Sequence, residues 1–214
     1  KKPNIGKTHP INTPAESDEF NLPKLGLQWQ WQANPQGTWA FPTSNGSLRM
    51  FSVYQPDSIN NLWDLPNILA QKLPAEEFTA RVKLRFNPKF DHERFGLIMF
   101  GADYAYISLE KRSDKLFIIV NQNIKADKKN MEEELSDFRV SETDVFLEII
   151  MKKGGTCHFG FSTDGEYYMV NLETFTAKPG KWVGAKIGMF CLRNNITNDA
   201  GFADIDWFRI EPVK

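Results

Sequence analysis

The chain has 214 residues, 41% of them hydrophobic and 25% charged, with a formal net charge of -1. That length suits one large all-β domain or two small ones, and the apolar share is enough to bury a core. The balanced charge, without a long basic run, argues against nucleic acid as a partner, and no apolar stretch is long enough to span a bilayer.

The opening stretch, 1–16, carries three prolines and no hydrophobic period, so it reads as a linker or lead-in to a domain over 17–214. It starts at Lys1 with neither an initiator Met nor a secretory leader, which reads as a trimmed piece and leaves the compartment open. Next comes "LGLQWQWQ" at 25–32. Strand alternation would put Leu25, Leu27, Trp29 and Trp31 on one face and Gln28 and Gln30 on the other. The tryptophan face is either core or a platform for a sugar ring. A strand this regular favours the core, leaving Gln28 and Gln30 to hydrogen-bond sugar hydroxyls.

Further strand-like runs fall at 47–53, 78–86, 95–100, 104–111, 115–121, 145–152, 156–162, 166–170, 185–192 and 202–210. Turn signals such as "NPQG", "SNG", "RSDK", "KKGG" and "KPGK" separate them, and "TDGE" at 163–166 suits a tight Asp-Gly hairpin. Many short strands at regular spacing mean a sandwich or a barrel. Two stretches depart from the pattern. Residues 64–74 allow one or two helical turns, limited by their prolines. Residues 125–140 have a helical composition, but in an otherwise all-β chain a loop leading into an edge strand near 134–140 is expected, its charges guarding that edge.

The chain holds 17 Phe, 6 Trp and 5 Tyr, residues that fill both β cores and sugar-binding faces. Cys157 and Cys191 lie in separate strands, so one bridge is open to them, but they are too few for a disulfide framework and free, buried thiols are favoured. His9, His92 and His158 match no metal-ligand spacing, and neither a phosphate loop nor a G-x-S-x-G elbow occurs. No carboxylate pair is marked for glycoside hydrolysis. In "GFADIDWFRIEP" (201–212), alternation would set Phe202, Asp204, Asp206 and Phe208 on one face. Carboxylates among apolar neighbours need hydrogen bonds or a cation. Both remain open: structural hydrogen bonding, or a structural Ca²⁺ held by Asp206 with Asp18 and backbone carbonyls, tying the domain's start to its last strand.

Six pieces carry a resemblance: "SDEFNLPKLGLQWQWQANP", "FTARVKLRF", "RFGLIMFGADYAYISLEK", "FGFSTDGEYY", "KWVGAKIGMFC" and "GFADIDWFRI". In this order they resemble the C-terminal domain of glycoside hydrolase family 43 enzymes, the β-xylosidase and α-L-arabinofuranosidase group. The resemblance implies an all-β, concanavalin A-like jelly-roll β-sandwich of two antiparallel sheets. It implies a partner, the catalytic β-propeller domain of the same protein, which bears the catalytic carboxylates. In some members the sandwich lends an aromatic residue that helps close the active-site pocket; Trp182 and Phe190 lie in the matching stretch, and Trp182 follows the "KPGK" turn.

Aromatic residues near turns, Trp39, Trp63, Tyr104 and Trp182, are therefore the sugar-stacking candidates, beside Gln28 and Gln30. The expected ligands are plant-type oligosaccharides of xylan or arabinan. Three functions stand open: a non-catalytic accessory domain, an independent carbohydrate-binding module, and a concanavalin A-like glycosidase in its own right, in that order.

Overall fold

The computed structural model describes Gly6 and residues 15–213. The expected lead-in thus lies outside the described residues except for Gly6, Ala15 and Glu16. In chain order the strands are β1 (Gln30–Trp31), β2 (Ala40–Pro42), β3 (Leu48–Phe51), β4 (Val53–Tyr54), β5 (Leu69–Lys72), β6 (Phe78–Asn87), β7 (Arg94–Phe100) and β8 (Tyr104–Arg112). They continue with β9 (Lys115–Asn123), β10 (Glu133–Val140), β11 (Asp144–Lys152), β12 (Thr156–Ser162), β13 (Met169–Thr176), β14 (Lys186–Arg193) and β15 (Phe202–Glu211). Two 3-10 turns, Leu62–Asp64 and Ala126–Lys128, complete the set among the described residues. No described helix is long and apolar enough to cross a membrane.

The strands form two stacked sheets. The first runs β1-β5-β14-β7-β8-β9-β10 and the second β13-β12-β11-β6-β15-β3-β2. Both runs are antiparallel; the short β4 adds to β14 in parallel. Alternation builds the core between them. On β6, Phe78, Ala80, Val82, Leu84 and Phe86 point inward, against Leu97 and Met99 of β7 and Ile187 and Met189 of β14 in one cluster. The all-β sandwich of two antiparallel sheets expected from the sequence is thus present.

A second apolar cluster covers the outer face of the first sheet. Ile98, Phe100, Tyr104, Tyr106, Phe190 and Leu192 are capped there by Leu62, Leu65 and Ile68 from the connection between β4 and β5, and by Ala126. Strand β7 is therefore buried along its whole length, which is why its sequence reads "RFGLIMF" without polar alternation. Residues 64–74 contribute a strand and part of a 3-10 turn rather than an α-helix. β10 is the edge strand expected near 134–140.

Three local readings are corrected. The alternation at 25–32 does not make a strand: a turn with Trp29 N–H on Gly26 O precedes the two-residue β1. Leu27 consequently faces solvent, 97% exposed, while Trp29 is buried. The run at 47–53 splits at Ser52, so that β3 pairs in the second sheet and β4 in the first. The Asp-Gly turn is looser than a two-residue hairpin. Gly165 has φ of +81°, but Asp164 Oδ1 accepts the N–H groups of Glu166 and Tyr167, and β13 begins only at Met169. Cys157 and Cys191 are free and buried, as read.

Candidate functional site

The loop between β13 and β14 is tied down at its base and bare at its tip. Ala102 N–H donates to Pro179 O at 3.3 Å, and a Cβ on Gly101 would meet Lys178 O at 1.8 Å, so only glycine lets the two backbones approach this closely. Lys178 Nζ binds Asp103 Oδ2 at 2.6 Å, and the buried Asp103 also accepts the N–H of Lys125 at 2.6 Å. From this anchor the chain rises to Trp182, whose side chain is 95% exposed.

Beneath the tip lies a hollow of 190 Å³ lined by Gln32, Trp63, Phe100, Trp182, Val183 and Lys186, among others. Trp63 sits on the 3-10 turn Leu62–Asp64, which Asn61 caps by accepting Trp63 N–H at 3.0 Å. The Trp63 ring stacks on Phe100 with centroids 5.6 Å apart. The stack continues inward from Phe100 to Tyr104 at 6.0 Å and to Tyr106 at 6.3 Å. Two of the four aromatic candidates, Trp63 and Trp182, are therefore brought together, and Gln32, Phe100 and Lys186 join them. The strand alternation "KIGMFCL" was the signal for Lys186: with Ile187 in the core, the lysine must face outward.

The other candidates lie elsewhere. Tyr104 is fully buried, so it is not a sugar platform; its hydroxyl donates to Glu132 Oε1 at 2.6 Å and accepts Leu62 N–H at 2.8 Å. Tyr106 donates to Glu132 Oε2 at 2.8 Å. Burial and the Glu132 charge push both phenols far above their usual pKa. Trp39 is also buried, edge-on to Trp31 at 5.2 Å, with only a margin lining a separate open hollow. Phe190 packs in the second cluster against Tyr106 and is not a closing aromatic. Gln28 and Gln30 line a third hollow with Leu27, Gln71 and Lys72, close to Ala15 and Glu16.

The expected calcium ligands do not fit a cation. A β-bulge at Asp206 shifts the register of β15 against β6, so Ala203, Ile205 and Phe208 all point into the core. Asp206 is thereby turned to solvent, where Lys83 Nζ meets it at 2.7 Å. Asp204, on the outer face, is held by Arg49 through two bonds of 2.7 Å. Asp18 accepts from Phe20 N–H at 2.9 Å and from the Trp29 indole at 2.9 Å. A cation at Asp206 would face an ammonium, and one at Asp18 would displace these donors. Among the described residues no group of three or more His, Cys, Asp or Glu is placed to hold a metal.

Residues 17–211 match the family model described as the β-xylosidase C-terminal concanavalin A-like domain. The chain is 27% identical to a β-xylosidase of Formosa agariphila, over 97% of this chain and 36% of that protein. It is 25% identical to a non-reducing-end α-L-arabinofuranosidase of Bacteroides ovatus, over 89% of this chain and again 36% of the relative. The chain thus spans just over a third of the length of these relatives. A GH43 protein of Bacillus licheniformis superposes on 95% of this chain with a TM-score of 0.79 at 21% identity, covering 41% of that structure. A xylan β-1,4-xylosidase of Bacillus halodurans does so on 98% with 0.77 at 20% identity, again 41% of its own length. At such identities the superpositions speak for the fold.

Proposed function

This chain belongs to the family of β-xylosidase C-terminal concanavalin A-like domains, and we propose that it is the non-catalytic accessory domain of a family 43 glycoside hydrolase acting on xylan- or arabinan-type polysaccharides. In this reading it packs on a catalytic propeller domain of the same protein and shapes the sugar-binding side of the active site. The carrying observation is Trp182, a large apolar side chain held 95% exposed on a loop whose base is fixed. Leaving such a ring in water is unfavourable unless a partner surface or a sugar covers it.

The placement of residues 15 and 16 supports the same reading. Gln71 Nε2 donates to Glu16 O at 2.8 Å, at the end of β5. Lys72 of β5 pairs with Lys186 of β14, and Lys186 follows the Trp182 loop. Residues 15 and 16 therefore lie toward the end of the sandwich that carries Trp182, Val183 and Leu27, all exposed.

The test uses a protein of the relatives' length that carries this chain behind its catalytic domain. Trp182→Ala should lower kcat/KM on an aryl xyloside or arabinofuranoside by about tenfold, roughly 1.4 kcal/mol of transition-state binding, without unfolding the sandwich. Unchanged kcat/KM in a folded variant overturns the reading. Micromolar oligosaccharide binding by the 214-residue chain alone would favour an independent binding module instead.

A further inference from the structure

The cleft under Trp182 contains a cation without an anion. Lys186 opens β14 and stands opposite Lys72 on β5 and Phe100 on β7. Like charges directly opposite each other in a sheet repel. Among the described residues neither lysine has a carboxylate within ion-pair distance, and the Lys186 ammonium donates to Gln32 Oε1 at 3.3 Å. The two lysines of the adjacent loop differ: Lys178 is paired with Asp103 at 2.6 Å and Lys181 with Asp127 at 3.5 Å. Lys186 is half-buried, and burial, with no anion to offset it, holds its pKa below the usual lysine range. A half-buried ammonium is costly to keep without a counter-charge.

Apart from Lys181, whose ammonium is paired with Asp127, and the Gln32 amide, the walls around this cation are largely apolar. Trp63, stacked on Phe100, and the exposed Trp182 line the same hollow as Lys186, and Gln32 adds an amide. A volume of 190 Å³ exceeds that of several waters at about 30 Å³ each and admits one sugar ring. A pyranose offers an apolar C–H face to an indole and hydroxyls to an amide. A carboxylate on that ring would supply the missing anion.

We propose that this cleft binds a hexuronic acid unit of an acidic oligosaccharide, its carboxylate on Lys186, its ring face on Trp182 and Trp63, and its hydroxyls on Gln32. The inference rests on the reading of the Trp182 loop as sugar-facing and adds to it the class of sugar. Lys72 reinforces the positive potential from the neighbouring strand.

The experiment is calorimetric titration of the 214-residue chain with xylotriose and with xylotriose bearing one glucuronic acid. At low ionic strength the acidic ligand should bind about tenfold more tightly, the size expected of one hydrogen bond to a charged group. Lys186→Gln should remove that preference, Lys186→Arg should keep it, and Trp182→Ala should weaken both ligands. The preference should also fade as pH rises past the lysine pKa, because only the ammonium attracts the carboxylate. Circular dichroism confirms that each variant folds. Equal affinity for the two ligands, a preference that survives Lys186→Gln, or no binding of either ligand overturns the inference. These outcomes are separable from the accessory-domain test, which reads turnover in the longer protein and does not depend on charge.

Discussion

The indole Nε1–H of Trp29 donates to Asp18 Oδ2 at 2.9 Å, and Asp18 is itself joined to Phe208 by two backbone bonds of 2.8 Å. Trp29 also packs edge-on against Phe208 at 5.0 Å and stacks with Phe20 at 6.0 Å. The domain's first residues are thus fastened to its last strand by hydrogen bonds and ring packing, the task that a calcium ion at Asp206 was expected to perform.

Asp18→Ala should therefore destabilise the fold by about 1–3 kcal/mol, because it strips a buried indole of its acceptor. Trp29→Phe should cost a similar amount while keeping most of the packing, and Trp29→Ala about 3–5 kcal/mol. Urea unfolding followed by circular dichroism measures all three. An Asp18→Ala midpoint equal to wild type would remove this hydrogen bond from the list of stabilising contacts.

Gly101→Ala should disturb the Trp182 loop specifically. The added Cβ would sit 1.8 Å from Lys178 O, which is backbone and has no rotamer to yield. Loss of the Ala102–Pro179 contact should free the loop's base. Faster amide exchange at 178–185, with the core of β6 and β11 still protected, is the expected pattern. Uniform protection in the variant would contradict it.

Trp182→Ala should leave stability within about 0.5 kcal/mol of wild type, since the ring is almost wholly in solvent. Trp39→Ala should cost about 3–5 kcal/mol, since that ring is 4% exposed. Thermal unfolding of the pair separates a ring kept for contact with something else from a ring kept for the fold.

Tyr104 and Tyr106 should resist ionisation in the native state. Burial is the largest cause, and the Glu132 carboxylate adds to it. Their folded pKa values are raised, so the stabilisation is fully present below the unfolded value of about 10 and is lost as pH climbs above it. Spectrophotometric titration should show these two phenols ionising only together with alkaline unfolding. Ionisation of all 5 tyrosines at an ordinary pH in folded protein would disprove it.

Burial likewise pushes the Cys157 and Cys191 thiols up to about 12. Thiolate is the reactive form, so neither should react with a disulfide reagent at neutral pH until the protein unfolds. Two thiols should then appear together in denaturant.

Some of this was legible in the sequence because it depends on short-range pattern. β6, β8, β9, β11 and β12 follow from alternation and from the turn residues between them, and two-sheet packing follows from their number. The family's motifs run in order along the chain, so the fold could be named from the sequence. The pairing of Trp63 with Trp182 was visible only as two aromatics near turns, 119 positions apart by number. Tertiary structure decided the rest. Alternation misplaces a side chain wherever one residue is inserted or a turn intervenes, as at the Asp206 bulge and at Gly26–Trp29. Whether an outward-facing side chain meets water depends on what covers that face. Tyr104 lies under Leu62 and Glu132, whereas Lys186, on the same face, is left without a counter-charge. A local pattern fixes the direction of a side chain relative to its own strand; its neighbours are set by segments that the chain brings back from far away in sequence.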